Sequence, residues 1–219
     1  MLNAEGRIFT AGIDLMAAGS LLKPAGDDPG RIGIALNNVV IPLQESFMAI
    51  EQCGKPVISV AHSKVFGAGV DMISSCDIRY CSKDTEITIK EVDIGMAADL
   101  GTLQRMNKIC GNDSWVRELV YTARWAGADE CASNGFFSKV LDDRDAANAA
   151  AMELAKTIAG KSPVAIYSNK KILNFSRDHP VADGLEYNRV WNNAALQTKD
   201  MMVAITANLG KTEPEFEDF

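Results

Sequence analysis

The chain has 219 residues, 47% of them hydrophobic, and sets 22 Lys and Arg against 29 Asp and Glu for a formal charge of −7. That length suits one layered domain with room for an appendage, and the acidic balance without a basic run argues against nucleic acid or an anionic membrane as partner. With only His62 and His179 and no supporting motif around either, a histidine-rich metal site or a Ser-His-Asp relay is excluded.

In chain order, Lys23-Pro24-Ala25-Gly26-Asp27-Asp28-Pro29-Gly30 reads as a loop. Ile32, Leu36, Val39, Leu43, Phe47 and Ile50 then recur at threes and fours, a helical period. Pro42 inside it predicts a kink or two abutting helices. Val57-Ile58-Ser59-Val60 is a short β-branched run expected as a buried strand. Gly67-Ala68-Gly69 breaks the chain, and Val70 to Cys76 is expected as a short helix. Asp77–Cys81 and Glu86–Lys90 alternate like strands, with Ser82–Thr85 turning between them. Asp99 to Ile109 reads as a helix that Gly111-Asn112-Asp113 ends. A further helix carries Ala147, Ala151, Leu154 and Ile158 on one face. From Val164 onward only helices are expected, with Trp191/Ala195 and Met201/Ile205 spaced as buried faces. A mixed β/α portion followed by a helical tail predicts an α/β core with a helical appendage. No apolar run approaches the roughly 20 residues that cross a bilayer.

Cys53, Cys76, Cys81, Cys110 and Cys131 contain no C-x-x-C pair, so buried free thiols are expected rather than a zinc site or a disulfide scaffold. The residues able to carry chemistry are mostly acids and glycines. Gly67-Ala68-Gly69 lies between a strand and a helix start, where unpaired N–H groups can hold an anion; a plain tight turn is the alternative. Met72 stands where a dinucleotide fingerprint needs its third glycine. Asp71 falls just inside a helix, Glu91 at a strand end and Asp99 at the next helix start. Carboxyls so placed among apolar residues have raised pKa values and serve as acid or base. The other reading makes Asp71 and Asp99 helix-terminus charges and Glu91 a surface residue. Arg7 to Leu15 adds a second turn, in which Asp14 is a candidate helix cap.

Together these segments resemble the enoyl-CoA hydratase/isomerase (crotonase) superfamily. Phe9-Thr10-Ala11-Gly12-Ile13-Asp14-Leu15 is similar to its first oxyanion loop. Lys55-Pro56-Val57-Ile58, Gly67-Ala68-Gly69-Val70-Asp71 and Ser75-Cys76-Asp77-Ile78-Arg79 are similar to its second. The likeness continues through Lys90–Gly95, Ala98-Asp99-Leu100-Gly101-Thr102-Leu103-Gln104-Arg105 and Thr122-Ala123-Arg124 to Ser162-Pro163-Val164 and Ser176–His179. Within the superfamily, Asp71, Glu91 and Asp99 resemble the acids of the Δ(3,5)-Δ(2,4)-dienoyl-CoA isomerases. Ordinary hydratases carry glutamates at the first two positions.

The resemblance implies a crotonase-like spiral of ββα units over residues 1–142, short at its N-terminus because only eight residues precede Phe9. A helical region over 143–219 would serve trimerisation, doubled to a hexamer in some members, and complete the acyl-CoA site. It implies Glu91, Asp99 and Asp71 as catalytic residues, with the Ile13 and Ala68 amides and Gly67 forming the oxyanion and substrate-binding turns. The substrate is an acyl-CoA thioester, coenzyme A being part of that substrate; neither a metal nor a redox cofactor is implied. Ala68 replaces the glycine common at the centre of the second turn. A hydratase, a Δ3,Δ2-enoyl-CoA isomerase, or a catalytically impaired scaffold are the alternatives. The implied compartment is mitochondrial or peroxisomal in a eukaryote and cytoplasmic in a bacterium. Lys170 and Lys171 are read as a solvated pair rather than as a site.

Overall fold

The computed structural model describes residues 1–14, 16, 17, 19 and 26–218; Leu15 of the first motif and Lys23, Pro24 and Ala25 of the expected loop lie outside the described residues. It contains two compact units, residues 1–51 with 57–149 and residues 52–56 with 150–219.

The first unit starts with the segment around Phe9 and then helix α1 (Pro29–Gln52). Pro29 and Gly30, expected in a loop, are the first turn of this helix. Asp28 Oδ1 accepts the Gly30 and Arg31 amides, and proline at the first helical position sacrifices no hydrogen bond. The helix runs through Pro42 as one element rather than as two. None of its residues is buried, and Leu43, expected on the apolar face, is exposed.

Strands β1 (Ile58–Ala61), β3 (Ile78–Ser82) and β6 (Lys139–Leu141) form a parallel sheet in the order β1-β3-β6. In β2 (Lys64–Phe66), β4 (Glu86–Thr88) and β5 (Ala126–Gly127) the order is β2-β4-β5, parallel and then antiparallel. Each pass of the chain thus leaves one strand in each sheet. Helices α2 (Ala68–Ser74), α3 (Thr102–Ile109) and α4 (Asp113–Thr122) separate the passes, and α5 (Ala128–Ser133) lies between the two strands of the third. All four residues of β1 are buried, which is why it reads as an unbroken run: a parallel strand is covered on both faces.

The turn at Ser82–Thr85 corrects a local expectation. It does not fold β3 onto β4; it carries the chain from one sheet to the other, with Lys83 N donating to Leu141 O and Glu86 N to Ser63 O. Two further boundaries differ. Glu91 opens a 3-10 turn (Glu91–Ile94) instead of ending a strand, and helix α3 begins at Thr102, leaving Asp99 in the preceding loop. Gly111-Asn112-Asp113 ends one helix and starts the unanticipated α4, where the Asn112 side chain accepts the Trp115 amide. The core between sheets and helices includes Val65, Val70, Ile73, Ile87, Met106 and Phe136. Cys76, Cys81, Cys110 and Cys131 are buried free thiols, whereas Cys53 is exposed. Burial pushes the Cys110 thiol up to about 11 and Cys81 to about 12, leaving both inert at neutral pH.

Helix α6 (Arg144–Ala159) runs from the first unit into the second, whose remaining helices are α7 (Pro163–Arg177), α8 (Val181–Ala195) and α9 (Asp200–Gly210). Ser162 caps α7 by accepting the Ala165 amide and donates to the buried Asp200 at 2.5 Å. Helices α7 and α8 meet through stacked rings, Phe175 on Tyr187 at 4.1 Å, and through Trp191 Nε1 donating to Ser168 Oγ at 2.8 Å. Lys170 is not solvated as expected: it is 5% exposed and donates to Lys55 O. Met201 and Ile205, expected on a buried face, are exposed. Among the described residues no helix is long and apolar enough to cross a membrane.

Candidate active site

Strand β2 delivers the chain to Gly67, whose φ of 44° and ψ of −115° are strained for any side-chain-bearing residue. Its N–H donates to Thr88 O at 2.9 Å, and Ala68 begins α2, so the Ala68 N–H is one of the helix's unpaired donors. The first turn lies directly alongside. Thr10 bridges to Val65, its N–H donating to Lys64 O and its carbonyl accepting the Phe66 N–H. Gly12, at φ 83°, would set a Cβ 3.1 Å from Phe66 O, and a Cβ on Gly69 would overlap Thr10 Cγ2. The two turns therefore interlock through positions that tolerate no side chain. Among the described residues, neither the Ile13 nor the Ala68 N–H finds an acceptor. Asp14 has the capping role weighed for it, accepting the Met16 and Ala17 amides.

Three carboxyls gather beside these turns. Asp71, 1% exposed on α2, accepts the Thr102 N–H at 2.6 Å. Gly101, which precedes that helix, has no side chain to cap it, so Asp71 supplies the cap across the fold. Burial pushes the Asp71 carboxyl above the usual aspartate range. Thr102, through hydroxyl and amide, and the Arg105 charge pull it down, and Asp99 pushes it up. The Thr102 hydroxyl does so without an aligned hydrogen bond.

Glu91 leans on the second turn: a Cβ on Gly67 would stand 2.9 Å from Glu91 Oε1. Its Oε2 is buried with no hydrogen-bond partner among the described residues. Burial raises its pKa, backbone amides of its own turn oppose this, and the charges of Asp71 and Asp99 raise it further. A desolvated carboxylate beside like charges, with one oxygen unpaired, has the chemistry needed to take up a proton. Asp99 is half-buried, within electrostatic reach of both other acids.

The sequence reading missed the groups that hold Asp99. Gln44 Nε2 of α1 donates to Asp99 O at 2.6 Å. Arg105 Nη1 reaches Leu100 O at 3.4 Å while its Nε and Nη2 bind Glu51 Oε2. The Arg105 and Glu51 side chains are 9% and 15% exposed, and Gly101 leaves room for the guanidinium, which a Cβ there would overlap. Gln44 and Glu51 carried no signal beyond the helical period, since both are ordinary polar residues of an amphipathic helix. Among the described residues, no group of three or more His, Cys, Asp or Glu side chains is arranged to hold a metal ion.

The whole chain, residues 1–219, matches the enoyl-CoA hydratase/isomerase family. It is 46% identical over 214 residues to the mitochondrial Delta(3,5)-Delta(2,4)-dienoyl-CoA isomerase of Homo sapiens, covering 97% of this chain and 65% of that protein. It is 40% identical over 218 residues to the peroxisomal Delta(3,5)-Delta(2,4)-dienoyl-CoA isomerase of Arabidopsis thaliana, covering 99% and 78%. The chain thus spans just under two thirds of the human relative's length. A putative enoyl-CoA hydratase from Streptomyces coelicolor A3(2), 22% identical, shares the fold with a TM-score of 0.86 over 98% of this chain and 76% of that one. With interlocked turns, three clustered acids and a match along its full length, the chain belongs to the enoyl-CoA hydratase/isomerase family.

Proposed function

We propose that the protein isomerises 3,5-dienoyl-CoA to 2,4-dienoyl-CoA, a step of fatty-acid β-oxidation, using no cofactor beyond the coenzyme A of its substrate. The observation that supports this best is a set of three mutually interacting carboxyls beside two interlocked turns with unpaired amides. The Ile13 and Ala68 N–H groups receive the thioester oxygen as it gains charge; such a donor is worth about 3–4 kcal/mol in other enzymes. Glu91 takes the C2 proton, and the electron pair spreads through a dienolate from the oxygen to C6. Asp99 gives a proton to C6 as the carbonyl re-forms, leaving double bonds at C2 and C4. The two acids finish with their proton exchanged, and solvent resets them. Asp71, holding Thr102 and raising the Glu91 pKa, tunes the pair. A homotrimer or homohexamer, as in the family, is part of this proposal.

The test uses the purified protein with 3,5-dienoyl-CoA, following absorbance of the conjugated 2,4-diene and, in heavy water, deuterium entry at C2. Glu91→Gln is expected to abolish both signals. Asp99→Asn is expected to keep C2 exchange while losing about 10²–10⁴-fold in isomerisation, the usual worth of a positioned acid. Hydration of a 2-enoyl-CoA with no diene formed would overturn the assignment.

A further inference from the structure

We propose that Gln44 is a positioning residue for Asp99, so that helix α1 sets where the second acid stands. The chemical role of Asp99 rests on the isomerase reading above; the clamp does not. Gln44 Nε2 donates to the Asp99 carbonyl at 2.6 Å, a short and half-buried bond. Glu51 lies seven residues on, two turns along the same helix face. It binds Arg105, whose Nη1 reaches the neighbouring Leu100 carbonyl. One face of α1 therefore holds two successive carbonyls of the acid-bearing loop. The far end of that loop is held by Asp71 on the Thr102 amide. A three-point hold leaves the Asp99 backbone little freedom, and the side chain that must reach the far end of an acyl chain inherits that placement.

The hold also explains a feature of α1 that packing does not. It is 24 residues long, yet none of its residues is buried, so apolar burial alone fixes its position weakly. Polar ties at Gln44 and Glu51 supply the register. Replacing Gln44 removes the donor while leaving the Asp99 carboxyl in the sequence.

Gln44→Met keeps side-chain length and removes the donor. In the isomerase assay it is expected to resemble a partial Asp99→Asn. Diene formation falls about 10- to 100-fold while C2 deuterium exchange stays within about twofold of the parent, because only the second proton transfer is displaced. A general loss of structure would lower both together, and that outcome overturns the proposal. Independently of any substrate, hydrogen–deuterium exchange of the peptide covering 98–102 is expected to speed up about 2- to 10-fold, what one lost hydrogen bond is worth. Unchanged exchange there removes the clamp. Faster loop exchange in Gln44→Met, together with a parent protein that forms no diene, keeps the clamp and removes the isomerase reading.

Discussion

Gly67→Ala puts the smallest side chain onto the turn that faces Glu91. The new Cβ would stand 2.9 Å from Glu91 Oε1, and ordinary contact begins at 3.4 Å, so the carboxylate must retreat by about 0.5 Å. At φ 44° and ψ −115° the backbone is also in a region that L side chains avoid, at a cost of about 1–3 kcal/mol. For a domain of this size that is a fall in Tm of about 2–12 °C. Since a 1 Å misplacement can cost about a hundredfold, half of it predicts about a tenfold loss of diene formation. Deuterium exchange at C2 should fall in step, because the displaced group is the base of the proposed reaction. Gly135→Ala separates strain from displacement. Gly135 has φ 86° but its nearest neighbour, Ile109 O, lies at an ordinary 3.6 Å. That variant should lose stability and keep its turnover per folded molecule. The reasoning is refuted if Gly67→Ala exchanges and isomerises at the parental rate, or if Gly135→Ala loses activity as severely.

Asp71→Asn removes a like charge from beside Glu91, so the Glu91 pKa, raised above 4.5 in the parent, should fall. As a base works ionised, activity rises with pH through that pKa, and the acid limb of the rate profile should move to lower pH; a limb that stays put would deny the coupling. The same variant bears on stability. The folded Asp71 pKa lies above its ordinary 3.8, so the carboxyl favours the folded state most below pH 3.8, and that advantage disappears as pH rises through the folded value. Asparagine can still accept the Thr102 amide, so urea denaturation should show the variant gaining on the parent between pH 4 and pH 7. In the second unit, Ser162→Ala removes the cap of α7 and the donor to buried Asp200. A loss of about 1–3 kcal/mol is expected in denaturant melts; parental stability would mean that neither bond matters.

The strand at Ile58 was legible as a short β-branched run and the helix over Arg144–Ala159 by its helical period. Strand β2 has three residues and β5 two, too few to show any period, and both exist because β4 lies between them. The Ser82–Thr85 segment looked like a hairpin turn since its residues favour turns; that it passes from one sheet to the other depends on Leu141 and Ser63, far away in sequence. The acids were legible by residue type. What could not be read was that Asp71 caps a helix 31 residues away and that Gln44 holds a carbonyl 55 residues away, because neither pairing leaves a local pattern.

The glycines show how the turns and the acids depend on each other. Gly67, Gly69 and Gly101 each stand where a Cβ would meet a side chain of the site: the Glu91 carboxylate, the Thr10 methyl and the Arg105 guanidinium respectively. In the sequence Gly67 and Gly69 signal a tight turn and Gly101 lies within an expected helix; in the fold each is a space occupied by another residue's side chain. Gly69 admits the first turn to the second. Gly67 admits the Glu91 carboxylate to that paired turn, and Gly101 admits the cation that joins α1 to the loop of Asp99. Ala68 sits in the middle of this arrangement without conflict, because its N–H, and not the space beside its Cα, is what the turn contributes. A side chain is therefore tolerated at 68 and excluded at 67. Steric demand around this site is set by which neighbour needs the space, and backbone conformation alone does not predict it.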